Sequence, residues 1–146
     1  CRDRGADNVR LLPFQDRKKL PEMLAAADVG LIVQKQNVIA FNMPSKTQVL
    51  LASGRPIIAS VPANGTAARA VHRSGGGLVI PPEDPDALAS AIKDLYNNPD
   101  KAELLGQQGR KYAVEQYSFE QALNQYEALF NDVTADPASI RDAVPN

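Results

Sequence analysis

Asn42-Met43-Pro44-Ser45-Lys46-Thr47-Gln48-Val49-Leu50-Leu51-Ala52-Ser53-Gly54-Arg55-Pro56-Ile57-Ile58 reads as a loop, a short apolar helix, a Gly-x-Pro break and a buried strand. Gly54 suits the position just past a helix end, and Pro56 suits the start of a strand. Ser45 is placed to cap the helix, and Lys46 puts a cation in its first turn. A helix start is an anion seat, because its unpaired N–H groups and the positive end of its dipole point outward. The order loop, helix, strand is also one turn of an alternating α/β chain.

The same alternation extends to both sides. Val9-Arg10-Leu11-Leu12-Pro13-Phe14 is a short apolar run closed by Pro, and reads as a first strand. Arg17 to Ala27 carries Leu20, Met23, Leu24 and Ala27 at helical spacing, with Pro21 tolerable only near the first turn. Val29-Gly30-Leu31-Ile32-Val33 is an unbroken apolar strand, as expected where both sheet faces are covered. Pro56 to Val61 is the third strand. Gly65 to Ser74 is a helix with Ala67, Ala68 and Val71 inward, stopped by Gly75-Gly76-Gly77 before the strand Leu78-Val79-Ile80.

The rest reads as helix. Asp84-Pro85 is an N-cap followed by Pro at the first helical position, and Leu88, Ala91, Ile92 and Leu95 make one stripe. Asn97 to Asp100 separates this helix from Lys101 to Gln116. Ser118-Phe119-Glu120-Gln121 has the form of a capping box, opening a helix whose Phe119, Leu123, Tyr126 and Phe130 face one way. The Leu88 and Phe119 stripes are expected to be core. The expected fold is α/β, a Rossmann-like parallel sheet with helices on both faces, followed by C-terminal helices. Residues 1–133 form the domain, and 134–146 a flexible tail.

Composition removes several functions. With 44% hydrophobic and 23% charged residues, the chain is suited to a folded globular domain. A formal net charge of −1 provides no basic field for nucleic acid, and Trp is absent. Cys1 and His72 are the only residues of their kinds, so no Cys cluster or His-rich metal site can form. No apolar run reaches the ~18 residues needed to span a bilayer. The chain opens on Cys1-Arg2-Asp3-Arg4 without an initiator Met, as expected of a piece of a longer protein. Gly75 to Gly77 is a helix stop and not a phosphate loop, since a strand and no Gly-Lys-Ser follows. Arg17-Lys18-Lys19 reads as a solvated basic face.

Asn8 to Phe14, Leu24 to Leu31, Ala52 to Ala59 and Gly76 to Leu88, all in register, with Tyr117-Ser118-Phe119 after them, carry a family resemblance. The chain resembles the second half of the C-terminal domain of a GT-B glycosyltransferase of the retaining family 4 type, nearest to bacterial exopolysaccharide enzymes of the colanic-acid kind. The resemblance covers roughly residues 8 to 133. It implies the donor-binding part of an enzyme that moves a sugar from a nucleotide-diphosphate sugar to a glycan or lipid-linked acceptor. It implies retention at the anomeric carbon, no obligatory metal and no cofactor, with positive groups and helix amides neutralising the leaving diphosphate.

By resemblance, Ser45, Lys46 and the amide of Thr47 face the donor phosphates, while Asn42 and Met43 lie on the sugar side. Pro13 and Phe14 line the nucleobase pocket with Leu20 behind them, and Gln48 and Val49 fall beside the ribose. The family often has two glutamates eight positions apart, and that register places Phe41 and Val49 here, neither able to accept a hydrogen bond. The implied partners are the donor, the acceptor and the protein's own N-terminal domain. The implied place is the cytoplasm, with peripheral contact at the inner face of the membrane. This piece alone is expected to be inactive. The alternatives are a non-catalytic nucleotide-sugar-binding or scaffolding domain, and a GT-B-like sugar-nucleotide epimerase.

Overall fold

The computed structural model of the chain describes residues 5–37 and 45–135. A 3-10 turn at Arg17–Lys19 leads into α1 (Leu20–Ala25), then β1 (Gly30–Val33), α2 (Ser45–Ser53), β2 (Ile57–Ser60), α3 (Thr66–Ser74) and β3 (Gly77–Ile80). Three helices follow, α4 (Pro85–Asn97), α5 (Pro99–Tyr117) and α6 (Phe119–Ala135). The sheet is parallel with order β1-β2-β3, and Gly30, Ile57 and Gly77 stand in register across it.

Strand alternation sorts the core into two layers. On one face Ile32, Ile57, Ala59 and Val61 pack with Leu50 and Leu51 of α2, Ala67, Ala68 and Val71 of α3, and Ala113 of α5. On the other, Ile58 packs with Ala91 and Leu95 of α4, joined by Leu78, Ile80 and Leu88. The expected inward face of α3 and most of the expected α4 stripe are therefore real. Ile92 is the exception and stays exposed.

The helix boundaries follow local chemistry. Asp84 accepts a 2.8 Å hydrogen bond from the amide of Ala87, with Pro85 at the first helical position. Removing that acceptor by Asp84→Ala should cost about 1 kcal/mol. Thermal melting would show it as a lowered midpoint, and an unchanged midpoint would discount the cap. Ser118 accepts from the amide of Gln121 at 3.2 Å, as the capping motif predicts. Gly75 ends α3 in the left-handed conformation, at φ 59°.

Two expectations about the ends of the chain are corrected. Val9 to Phe14 forms no strand, and Phe14 is 100% exposed. An extended run becomes a strand only when another strand satisfies its N–H and C=O groups, and among the described residues none lies beside it. The stripe on α6 is not core either: Phe119 is 79% exposed, and Leu123, Tyr126 and Phe130 are all more than half exposed. Within the described residues α6 packs chiefly along α5, which leaves this side of it uncovered. α6 also runs to Ala135, past the boundary expected at 133, and residues 136–146 lie outside the described residues.

The sheet is covered unevenly. β2 is buried throughout, but Leu31 and Val33 of β1 are exposed on the face shared with α4. A cleft of about 930 Å³ opens there, lined by Val29, Leu31, Ile92, Leu95 and Tyr96 among others. Expected cover on both faces is thus present at β2 and β3 and incomplete at β1.

α5 approaches more closely than ordinary side chains permit. Gly106, Gly109 and Ala113 are its buried residues. A Cβ on Gly109 would stand 3.1 Å from the Cα of Gly76 and from Leu51 Cδ2. Gly54 and Gly76 precede β2 and β3, so α5 lies against turns at the amino edge of the sheet.

Candidate functional site

The carboxyl ends of the three strands form the opposite edge, where ligands bind in open α/β sheets. Main-chain bonds continue the ladder there: the amide of Gln34 donates to Ser60 O at 2.9 Å, and that of Val61 to Ile80 O at 3.2 Å. The Ser60 hydroxyl donates to Pro81 O at 3.2 Å. Two helices, α2 and α3, start from this edge on the same face of the sheet and return along it to the next strand.

α2 is held in place by what lies beneath it. A Cβ on Gly30 would stand 2.8 Å from Leu50 Cδ2, so glycine lets the helix close on β1. Leu51 is fully buried under Gly76 and Gly109. Ser45 and Lys46, by contrast, are exposed at the start of the helix. Ser45 is the first helical residue, so the cap position falls on residue 44, outside the described residues. Thr47 is 0% exposed, and its hydroxyl has no hydrogen-bond partner among the described residues. Its side chain therefore belongs to the interior, and only its amide is available to a ligand at the helix start.

The charge pattern separates the starts of α2 and α3 from the other helix starts, including that of α4 at the same edge. Neither α2 nor α3 has an acidic residue in its first turn, whereas α4, α5 and α6 carry Asp86, Asp100 and Glu120. The amide ends of α2 and α3 thus keep their positive potential, and Lys46 adds to it. The α3 start has Gly65 at its cap position with no side-chain acceptor, and the Thr66 hydroxyl is buried with no partner among the described residues.

The other expected site residues divide. Leu20 and Val49 line one cleft of about 680 Å³, together with Pro21, Leu24, Arg55 and Arg110. Arg110 Nη1 donates to Ala52 O at 2.7 Å and Arg55 Nη2 donates to Ala25 O, so both guanidinium groups tie down helix ends. Gln48 is half-buried beside Val49. Pro13 and Phe14 are exposed and do not line this cleft, so the structure does not bring them to Leu20. Phe41, Asn42 and Met43 lie outside the described residues. Glu83 was missed by sequence reasoning, although it follows a strand at the carboxyl edge. Its carboxylate accepts from the amide of Gln36 at 3.1 Å. Among the described residues no group of three or more His, Cys, Asp or Glu could hold a metal.

Residues 1–98 match the profile of a family described as Glycosyl transferases group 1. The chain belongs to that family. This glycosyl transferase group 1 chain is 33% identical over 72 residues to the probable glycosyltransferase WbjE of Pseudomonas aeruginosa, a match covering 49% of this chain and 18% of the relative. It is 26% identical over 134 residues to the putative colanic acid biosynthesis glycosyl transferase WcaI of Escherichia coli K12, covering 91% of this chain and 31% of the relative. Its fold matches sucrose-phosphate synthase from Thermosynechococcus elongatus with a TM-score of 0.77 and 25% identity, over 92% of this chain and 32% of that one. Anabaena HepE, solved in complex with UDP, matches with a TM-score of 0.64 and 16% identity, over 80% of this chain and 30% of that one. The GT-B resemblance read from the sequence is thereby supported, and the chain spans less than a third of the length of these relatives.

No described helix is long and apolar enough to cross a membrane.

Proposed function

We propose that the chain is the donor-binding part of a glycosyltransferase that moves a sugar from a nucleotide-diphosphate sugar to a glycan or lipid-linked acceptor. One observation carries this reading: in a glycosyl transferase group 1 chain, α2 starts at the carboxyl edge with Lys46 exposed and no acid in its first turn. Ser45, Lys46 and the Thr47 amide take the diphosphate. Stabilisation of the leaving group by a cation and oriented amides asks for no metal or cofactor. Transfer with retention, through front-face attack or internal return, belongs to the same reading. Leu20 and Val49 are assigned to the nucleoside by the family resemblance, and the two share one cleft.

The rest of the polypeptide supplies the acceptor site and completes the sheet. In a doubly wound sheet of order 3-2-1-4-5-6, the third strand is separated from the fourth by two others. On that numbering Val9 to Phe14 takes the third place and β1 to β3 the fourth to sixth. The unpaired run and the bare edge of β1 then have a common cause. The protein works in the cytoplasm in this reading. Arg17, Lys18 and Lys19, exposed together, are available to anionic lipid at about 1 kcal/mol per basic residue.

Titration of the chain with UDP, GDP and ADP by calorimetry tests the proposal. At least one should bind, and Lys46→Ala should weaken it about tenfold, equivalent to ~1.4 kcal/mol. Equal affinity in the variant would remove Lys46 from the phosphate site. A nucleotide-sugar-binding module without transfer is the second reading. It is favoured by Val49, an apolar residue where the family often has a glutamate. Sugar transfer by the full-length protein would exclude it.

A further inference from the structure

The Glu83 backbone has φ 59°, in the left-handed region, and among the described residues no other non-glycine has positive φ. That region is unfavourable for a residue with a Cβ. Glu83 is exposed, so no packing demand explains the conformation. What the conformation accompanies is a contact across the carboxyl edge. Glu83 lies in the loop between β3 and α4, and its Oε2 accepts from the amide of Gln36, three residues past the end of β1. β1 and β3 are not neighbours, since β2 stands between them. A single carboxylate therefore spans the strand ends, and it grips the connection that runs from β1 to the α2 helix start.

We propose that Glu83 is a positioning residue for the nucleotide site. It ties the residues just after β1 to the β3–α4 loop, and so holds the strand ends at the carboxyl edge in one arrangement beside the α2 start. The inference rests on the donor-binding reading given above. It adds a residue from outside α2 that acts on the ligand through Gln36.

The test uses the full chain with three substitutions, the nucleoside diphosphate that binds the unaltered chain, and amide hydrogen exchange. Glu83→Gln keeps an acceptor oxygen, so its affinity should stay within about twofold of the parent. Glu83→Ala and Glu83→Gly remove the acceptor. Each should weaken binding roughly fivefold, the factor that accompanies one net hydrogen bond. Their stabilities should differ, because glycine takes positive φ freely and alanine does not. Glu83→Gly should melt about 4 °C above Glu83→Ala. Equal loss of affinity at unequal stability separates positioning from general destabilisation. Affinity that follows melting temperature across the series, or that stays at the parent value in both variants, would overturn the proposal.

Exchange at the Gln36 amide reads the contact without nucleotide. It should quicken in the Ala and Gly variants and not in the Gln variant, and unchanged exchange would refute the tie itself. Absence of nucleotide binding by the unaltered chain, with the Gln36 effect intact, would instead sink the donor-binding reading and the positioning role with it.

Discussion

Gly106→Ala should destabilise the chain by about 3 kcal/mol, although alanine is the better helix former. Gly106 sits inside α5 and is buried. A Cβ there would lie 2.2 Å from the carbonyl oxygen of Gly54 and 3.0 Å from its carbonyl carbon. Both are backbone atoms, so no rotamer change relieves the clash. Gly54 cannot easily retreat, because it turns the chain from α2 into β2 at φ 74°. Either α5 lifts away or the turn distorts, and either result opens the contact between α2 and α5. Helix propensity alone predicts a gain of ~1 kcal/mol from the same change. The two effects have opposite signs, so urea denaturation decides between them. A Gly106→Ala chain as stable as the parent would show that α5 does not pack on Gly54 as described.

Leu51→Ala should cost about 2–5 kcal/mol. Leu51 is 0% exposed and belongs to the cluster joining β2, α2, α3 and α5. Its Cδ2 fills the space that side chains on Gly76 and Gly109 would otherwise occupy, at 2.6 and 3.1 Å from their ideal Cβ positions. Those two glycines are held by backbone packing, so the cavity has little freedom to collapse. Val49, two residues earlier on the same helix, faces the open cleft, and Val49→Ala should change stability by less than about 0.5 kcal/mol. Denaturation of both variants would check the contrast. Similar losses in the two would mean that the inward face of α2 is misassigned. Because Leu51 seats α2, its loss should also weaken nucleotide binding with Lys46 intact.

The elements most legible in the sequence were those fixed by neighbours along the chain. Asp84-Pro85, Ser118 to Gln121 and Gly75 announced helix ends through side-chain acceptors, a fixed φ and a tolerated positive φ. These are local properties and hold in any tertiary setting. Ala67, Ala68 and Val71 were legible because a period of 3.6 on a short helix leaves one face for a core. The start of α2 was legible in the same way. A hydroxyl and a cation after a strand-ending loop marked the α2 start, and the structure leaves Ser45 and Lys46 exposed there.

Errors arose where the outcome depended on what stands opposite. Val9 to Phe14 has strand composition, and Phe119, Leu123, Tyr126 and Phe130 have core periodicity. Neither pattern names a partner. Among the described residues no strand pairs with the first and nothing covers the second. Gly106 and Gly109 fall inside α5, and the sequence reading drew nothing from them. They are the places where α5 meets backbone, a fact visible only when Gly54 and Gly76 arrive from elsewhere in the chain.

The sequence by itself determined the alternation of helix and strand, the caps, and the family to which the chain belongs, because each rests on residues in a fixed order. The tertiary structure decided which apolar runs are buried, why α5 needs glycine, and how Glu83 reaches Gln36 from 47 residues away. Those outcomes depend on distances between segments that the backbone brings together, and residue order alone does not contain them.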